Sequence, residues 1–483
     1  MIAFAKKNPL FTTCILTLVL QTVLIVYYGF NGFYGQDSYE YLHITRSLNL
    51  FYTTGIQPDY TVYPIMYPVI CSLFNFFIPD TFLVMQLVSI LATFFAIVLI
   101  SKIITLLTSD NRYRLLYILL FFVLSPYVLR FSIIAMSDML CITFWLATYY
   151  FSLRFSINRK PIALWLTALF AGLAVATRYP AVVLLLLPAW VCLKTIIREK
   201  KYVLLFGVVL VILVTTVPDY LIRQRIFFWN INSEGADLSY HFFAEQFRLT
   251  NLFKNNFMNL DGVQQYPFPN LVFVFYHLFH PAFIFCGIIL LWGLRRKENR
   301  TADFAVIVIV LVLYSLFIGC NPYQNNRYLL FAFPLVLFLY FLPFNNWLER
   351  SALGKKYLFY WAMPVACLQI LLFSMGFRAT HTMHKTEVEI TQHLKNLPQK
   401  TIYTMGIDGA VSAYLPESDV VNLFNVDIDT AQLHNVYVLF NEPAFGKQFA
   451  GLRPMHNFNL CKETGNMREL KIFSEGWVLY EIK

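Results

Sequence analysis

The sequence predicts a polytopic α-helical membrane protein, with about 11 transmembrane helices followed by a small C-terminal extracytoplasmic α/β domain. Three observations predict it. Hydrophobic residues make up 58% of the 483-residue chain and charged residues 13%, with a mean hydropathy of +0.58, which is too little charge to cover a soluble surface. Apolar runs of roughly 20 residues, the length that crosses ~30 Å of hydrocarbon, recur along most of the chain. Beyond residue 378 the runs stop, and polar and apolar residues are balanced.

The spans read in order as 9–30, 82–107, 113–129, 138–155, 161–177, 180–197, 202–221, 270–292, 303–320, 327–345 and 357–377. The first is too long for a signal-peptide core and lacks a small-x-small cleavage site, so it reads as an uncleaved signal anchor. One boundary is forced by length. Residues 161–197 are nearly uninterrupted apolar sequence, and as one helix they would rise about 55 Å. The polar break Thr177-Arg178-Tyr179-Pro180 is where the chain must fold back, and Pro suits the first turn of a new helix. The 18% aromatic content fits lipid-facing helices and interfacial belts.

Loop charge orients the chain. Lys6 and Lys7 place the N-terminus in the cytoplasm, and every other loop carries a basic cluster, such as Arg159 with Lys160 and Arg295 with Arg296 and Lys297. The remaining loops then face outward. They hold Asp37 and Glu40, Arg130 and Asp138, Arg178, the long 222–269 segment, and Arg327. The net charge of +10 is therefore a topology signal; no basic face or nucleic-acid motif accompanies it. The eight cysteines are scattered, with no CxxC or CxxH spacing, which supports neither a zinc ribbon nor a disulfide framework.

The chain divides into a transmembrane region, 1–378, whose first outer loop spans 31–81, and an outward domain, 379–483. In the latter, 401–406, 420–425 and 436–441 read as short strands, and 471–482 as a hairpin around Glu475-Gly476.

Charge beside a bilayer costs free energy, so the outer-loop charges are the candidate site. Asp37 opens Asp-x-x-Glu with Glu40. That pattern is also a helix N-terminus signature, in which Asp37 caps and Glu40 reaches back. As chemistry, Asp37 is a general base at the membrane boundary, with Glu40 beside it to bind substrate. Asp138, in Met136-Ser137-Asp138-Met139, reads either as part of a helix start with Ser137 or Asp138 as the capping residue, or as a second catalytic carboxylate. Arg178 and Arg327 stand at outer helix ends, where positive charge has no topological purpose. Snorkelling is the plain account; a planar fork of donors for an anionic ligand is the functional one. Tyr63, in Tyr63-Pro64, reads as packing or as a substrate contact. His277 and His280 lie in the outer half of the eighth span. They show no metal-ligand spacing, and His280 is retained as a substrate-binding candidate. No metal ligand set is assigned, and a divalent metal is left open.

In order, Gly35-Gln36-Asp37-Ser38-Tyr39-Glu40-Tyr41-Leu42, Tyr63-Pro64-Ile65-Met66-Tyr67-Pro68, Leu124-Ser125-Pro126 with Ser137-Asp138, Thr177-Arg178-Tyr179-Pro180 and Arg327-Tyr328-Leu329-Leu330 resemble the GT-C superfamily of integral-membrane glycosyltransferases. The closest-looking branch holds the protein O-mannosyltransferases and the lipid A aminoarabinose transferases. In the mannosyltransferases Asp is followed directly by Glu; here Ser38 follows Asp37. The resemblance implies a GT-C-like fold, a polyprenyl-phosphate-sugar donor, and inverting transfer of a hexosyl or pentosyl group. The acceptor would be a lipid, glycan or protein on the outer side of the cytoplasmic membrane. Alternatives are a lipid or glycan transporter or flippase, and a polymerase or ligase using a diphosphate-linked donor.

Overall fold

The structure is a computed structural model that describes residues 8–58, 63–230, 248–259, 262–265, 268–278, 293–321, 327–428, 433–463 and 466–483. Helix α1 (Pro9–Tyr28) starts on a proline at its first position and stops at Gly29, whose left-handed backbone (φ +58°) turns the chain. Two helices of the first loop follow, α2 (Gly35–Thr54) and α3 (Met66–Asn75). Asp80 then caps α4 (Thr81–Leu107), accepting a hydrogen bond from the Leu83 amide at 3.2 Å.

The expected third span, 113–129, is broken. A short helix α5 (Arg114–Ile118) runs into a π turn at Leu119–Val123, and α6 (Pro126–Ile133) leaves at a bend of 71°. Pro126 explains the break, because its ring cannot continue a helix from the preceding turn. Next come α7 (Asp138–Asn158), α8 (Pro161–Thr177), α9 (Ala181–Leu184), α10 (Leu186–Glu199) and α11 (Leu204–Asn230). The fold-back after Thr177 falls where length requires it. A β-ribbon of β1 (Asn256–Asn259) and β2 (Gly262–Gln265) precedes α12 (Asn270–Leu278), α13 (Phe304–Gly319), α14 (Arg327–Arg350), α15 (Ala352–Lys356) and α16 (Leu358–Leu394).

Among the described residues, six helices are long and apolar enough to cross a membrane, or seven if the bent pair is one span. Pro161–Thr177, Leu204–Val217 and Phe304–Gly319 are apolar but shorter. At the centre α7 packs against α4, α8, α10 and α14. Tyr117, Trp145, Tyr149 and Tyr340 are fully buried there. A Cβ at Gly172 would lie 1.8 Å from Thr215 Oγ1, so glycine is what lets α8 and α11 approach.

Helix α16 is 37 residues long, about 55 Å at 1.5 Å per residue, so it outruns the bilayer and carries on past residue 378. It leads into a five-stranded sheet of order β4-β3-β5-β7-β6, with β3 (Ile402–Thr404), β4 (Val420–Asn422), β5 (Val436–Phe440), β6 (Met467–Ile472) and β7 (Val478–Ile482). β3 runs parallel to β4 and β5, while β7 is antiparallel to β5 and β6. Glu475 and Gly476, both at positive φ, make the tight turn between β6 and β7. Helices α17 (Asp408–Tyr414), α18 (Glu442–Gln448) and α19 (Arg453–Glu463) flank the strands.

Candidate active site

Four chain segments bring charge to one end of the bundle. Asp37 lies in the first turn of α2, and Asp138 is the first residue of α7. Carboxylates are favoured at such helix N-termini. Arg178 is the extended residue between α8 and α9. Arg327 opens α14, where the helix dipole opposes a cation, so it needs an anionic partner nearby.

The partners form two ion pairs. The Asp37 Oδ2 atom pairs with the Arg327 guanidinium, and Oδ1 accepts from the Tyr63 hydroxyl at 2.6 Å. Asp138 Oδ2 pairs with Arg178 Nη2 at 3.2 Å, and Arg178 Nε donates to Ser137 Oγ at 2.9 Å. Ser137 Oγ is also 2.8 Å from the Tyr41 hydroxyl, one turn along α2 from Asp37. Tyr41 packs edge-on against Tyr63, with ring centres 5.3 Å apart. The two pairs are thus joined through Tyr41, Ser137 and Tyr63. Arg327 Nη1 further contacts Met136 Sδ at 3.6 Å, beside Ser137.

The two carboxylates differ in access. The Asp37 side chain is 19% exposed and that of Asp138 0%. An incoming molecule can touch Asp37, whereas Asp138 is sealed against Arg178. Burial alone would raise the Asp37 carboxyl. The Arg327 and Arg178 guanidiniums and the Tyr63 hydroxyl more than offset this and hold it below its ordinary value.

Neither helix cap expected from the sequence forms. The residue preceding α2 is Tyr34, with no side-chain cap, and the Asp37 oxygens are spent on Tyr63 and Arg327. Ser137 precedes α7 without capping it, because its hydroxyl serves Tyr41 and Arg178. Tertiary partners outcompeted the local backbone amides in both cases.

Asp37, Tyr63 and Arg327 are therefore brought together, as are Asp138 and Arg178. Glu40 is half-buried three residues beyond Asp37 on α2. His280 lies outside the described residues. Sequence assigned Tyr41, Ser137 and Arg130 no role at the site: Tyr41 entered only within a longer string, Ser137 as a helix cap and Arg130 as one outer-loop charge. Arg130 donates to the Tyr34 hydroxyl at 3.2 Å, just before α2. Its occurrence in an outward loop was the one available signal. Among the described residues no three His, Cys, Asp or Glu side chains converge as metal ligands.

Apolar helices with an ionic cluster at one end lead into a small sheet domain, and this arrangement has counterparts among solved structures. The chain is similar over 96% of its length, and 98% of theirs, to two crystal structures of ArnT from Cupriavidus metallidurans. The apo form matches at a TM-score of 0.59 and 12% identity, and the form bound to undecaprenyl phosphate at 0.56 and 13%. Residues 62–219 match the family model described as dolichyl-phosphate-mannose-protein mannosyltransferase. That stretch includes Tyr63, Asp138 and Arg178. No curated protein matches the chain.

Proposed function

We propose that this chain is an integral-membrane glycosyltransferase that moves a sugar from a polyprenyl-phosphate-linked donor to an acceptor on the outer side of the cytoplasmic membrane, with inversion at the anomeric carbon. The observation that carries this reading is the Asp37–Arg327 pair, partly open to solvent at one end of a GT-C bundle. Loop charge supports a cytoplasmic N-terminus and an outward site and C-terminal domain. The similarity to an ArnT structure titled as bound to undecaprenyl phosphate supports the class of carrier lipid.

In this reading the donor phosphate competes with Asp37 for Arg327. A phosphate is already a good leaving group, so the site needs cations near its developing charge rather than a strong general acid. Arg327 contacts it through its planar fork. Arg178, engaged by Asp138 and Ser137, contributes positive field from behind. Once Arg327 turns to phosphate, Asp37 loses the partner that depresses its basicity and becomes a better proton acceptor. It then takes the acceptor's proton, or orients the acceptor where that is itself a phosphate. Tyr63 and Glu40 flank the acceptor, and Asp138 keeps Arg178 in place.

Lipid and glycan mass spectrometry of a deletion strain beside its parent tests the reading. The expected result is an accumulated polyprenyl-phospho-sugar together with one missing glycan modification, which would name both substrates. An unchanged lipid-linked sugar pool and glycan profile would refute it.

A further inference from the structure

Helix α2 has two faces. Asp37 and Tyr41 look into the ionic cluster, while Gly35, Gln36, Tyr39 and Arg46 meet the C-terminal part of the chain. The first amides of a helix lack partners within it, and Tyr34 supplies no side-chain cap here. The missing acceptor comes from α16. Glu387, only 2% exposed, accepts the Gly35 amide on Oε1 at 2.8 Å and the Tyr39 hydroxyl on Oε2 at 2.8 Å. Gly35 sits at φ +64°, a conformation that glycine adopts at little cost, so the chain turns into α2 at the point where Glu387 holds it.

The sheet domain adds a second hold. Gln36 bonds through Nε2 to Asp408 Oδ1, and the Gly409 amide donates to Gln36 Oε1 at 3.3 Å. Asp408 is itself fixed, accepting from Asn422 Nδ2 on β4 at 2.8 Å and from the Gly406 amide at 3.1 Å. A Cβ at Gly409 would lie 2.7 Å from Gln36 Oε1 and 2.9 Å from Tyr39 Cβ, so α17 and α2 are in close contact. Tyr414 receives the Asn31 amide at 2.7 Å, and Arg46 reaches the Ala413 carbonyl at 3.2 Å. His384 contacts the Phe33 carbonyl at 2.9 Å, just before α2.

We infer that Glu387 is a positioning residue that caps α2 from another part of the chain and so sets Asp37 against Arg327 and Tyr63, with the Gln36–Asp408 contact carrying the same hold into the C-terminal domain. Asp37 is two residues from the capped amide, within the same helical turn. Small rotations of that turn move its carboxylate relative to Arg327. The C-terminal domain is then a structural half of the active site. The catalytic side of this inference rests on the role proposed for Asp37; the structural side does not.

The experiment uses the full-length purified chain carrying Glu387→Ala, Glu387→Gln or Tyr39→Phe. Hydrogen exchange of the peptide covering residues 33–41 reads the hold directly. Glu387→Ala should speed exchange on the order of ten- to a hundred-fold, as expected for losing one charge-assisted hydrogen bond. Glu387→Gln, which keeps an acceptor for the Gly35 amide, should restore most of the protection. Tyr39→Phe, which removes the second bond to Glu387 and leaves the capped amide, should speed exchange several-fold and serves if the Ala variant does not fold. In the deletion strain, Glu387→Ala should leave lipid-linked sugar accumulated and Glu387→Gln should clear it. Unchanged exchange in Glu387→Ala, or in Tyr39→Phe if only that folds, overturns the positioning role whatever the activity. Faster exchange with full clearance supports the hold on α2 but refutes the claim that this hold sets Asp37 for reaction, a result distinct from failure of Asp37→Asn to block transfer.

Discussion

Replacing Asp37 by Asn separates a structural carboxylate from a reacting one. Asn keeps an oxygen for the Tyr63 hydroxyl, 2.6 Å away, but brings no charge to Arg327. A hydrogen bond to a charged partner is worth about 1.5–3 kcal/mol. With 19% and 11% of the two side chains exposed, water softens the loss toward the lower end of that range. Loss of a general base costs about 10²–10⁴ in rate, or roughly 2.7–5.4 kcal/mol of barrier at 1.36 kcal/mol per decade. The rate effect should therefore exceed the stability effect. The assay pairs thermal unfolding of the purified variant with mass spectrometry of lipid-linked sugars in a deletion strain that carries it. The expected outcome is a small fall in unfolding temperature with the lipid-linked sugar still accumulated. An Asn variant that clears the sugar at close to the parent rate would show that Asp37 only anchors Arg327, and the base would have to be sought elsewhere.

Arg178→Ala leaves Asp138 buried beside a cavity without its cation, which should destabilise the protein by about 3–5 kcal/mol and lower its expression; near-parental thermal stability would refute the pairing. Arg327→Gln removes a principal charge that holds the Asp37 carboxyl down, so that carboxyl should titrate higher. In the parent, the depressed folded value gives stability that is present above the unfolded value of ~3.9 and is lost as pH falls through the folded one. Arg327→Gln should flatten that acid-side loss in an unfolding series, and an unchanged pH dependence would count against the pair. A reporter fused after Lys483 should be active only outside the cytoplasm, and cytoplasmic activity would invert the proposed orientation.

The sequence made the candidate site's charged residues more readable than their wiring. Asp37, Asp138, Arg178 and Arg327 stood out because each placed charge at a helix end beside apolar sequence, where solvation makes charge expensive. Their pairing could not be read, because it depends on how α2, α7, α8 and α14 meet: Asp138 and Arg178 are 40 positions apart and Asp37 and Arg327 are 290. The same remoteness hid the loss of the helix caps. Asp-x-x-Glu is a local signal, and a guanidinium delivered by α14 outweighs it. Tyr41 and Ser137 entered only as parts of longer strings, since a buried Tyr and a Ser before a helix are ordinary. Glu387 was invisible for a related reason: it follows Lys385 in a polar stretch that reads as a solvated helix face. The break at Pro126 was readable from proline alone and was passed over because the apolar run continues around it.

Two guanidinium–carboxylate pairs in one cluster suit a ligand that is both anionic and lipidic. Four unpaired charges at a bilayer boundary would be costly to desolvate, whereas pairing each cation with an anion limits that cost before substrate arrives. The pairs are unequal, and the inequality matters. Asp138–Arg178 is sealed, so exchanging its partner would expose an uncompensated buried charge. Asp37–Arg327 is partly open, so its partner can be exchanged at lower cost. A phosphate entering beside Arg327 would therefore displace the Asp37 carboxylate and not Asp138. In the proposed reaction that exchange makes Asp37 more basic only when a donor is bound, which would restrain the base in the empty enzyme. For this to work the carboxylate must stay within reach after it is displaced, and a helix end clamped by Glu387 and Asp408 keeps it there.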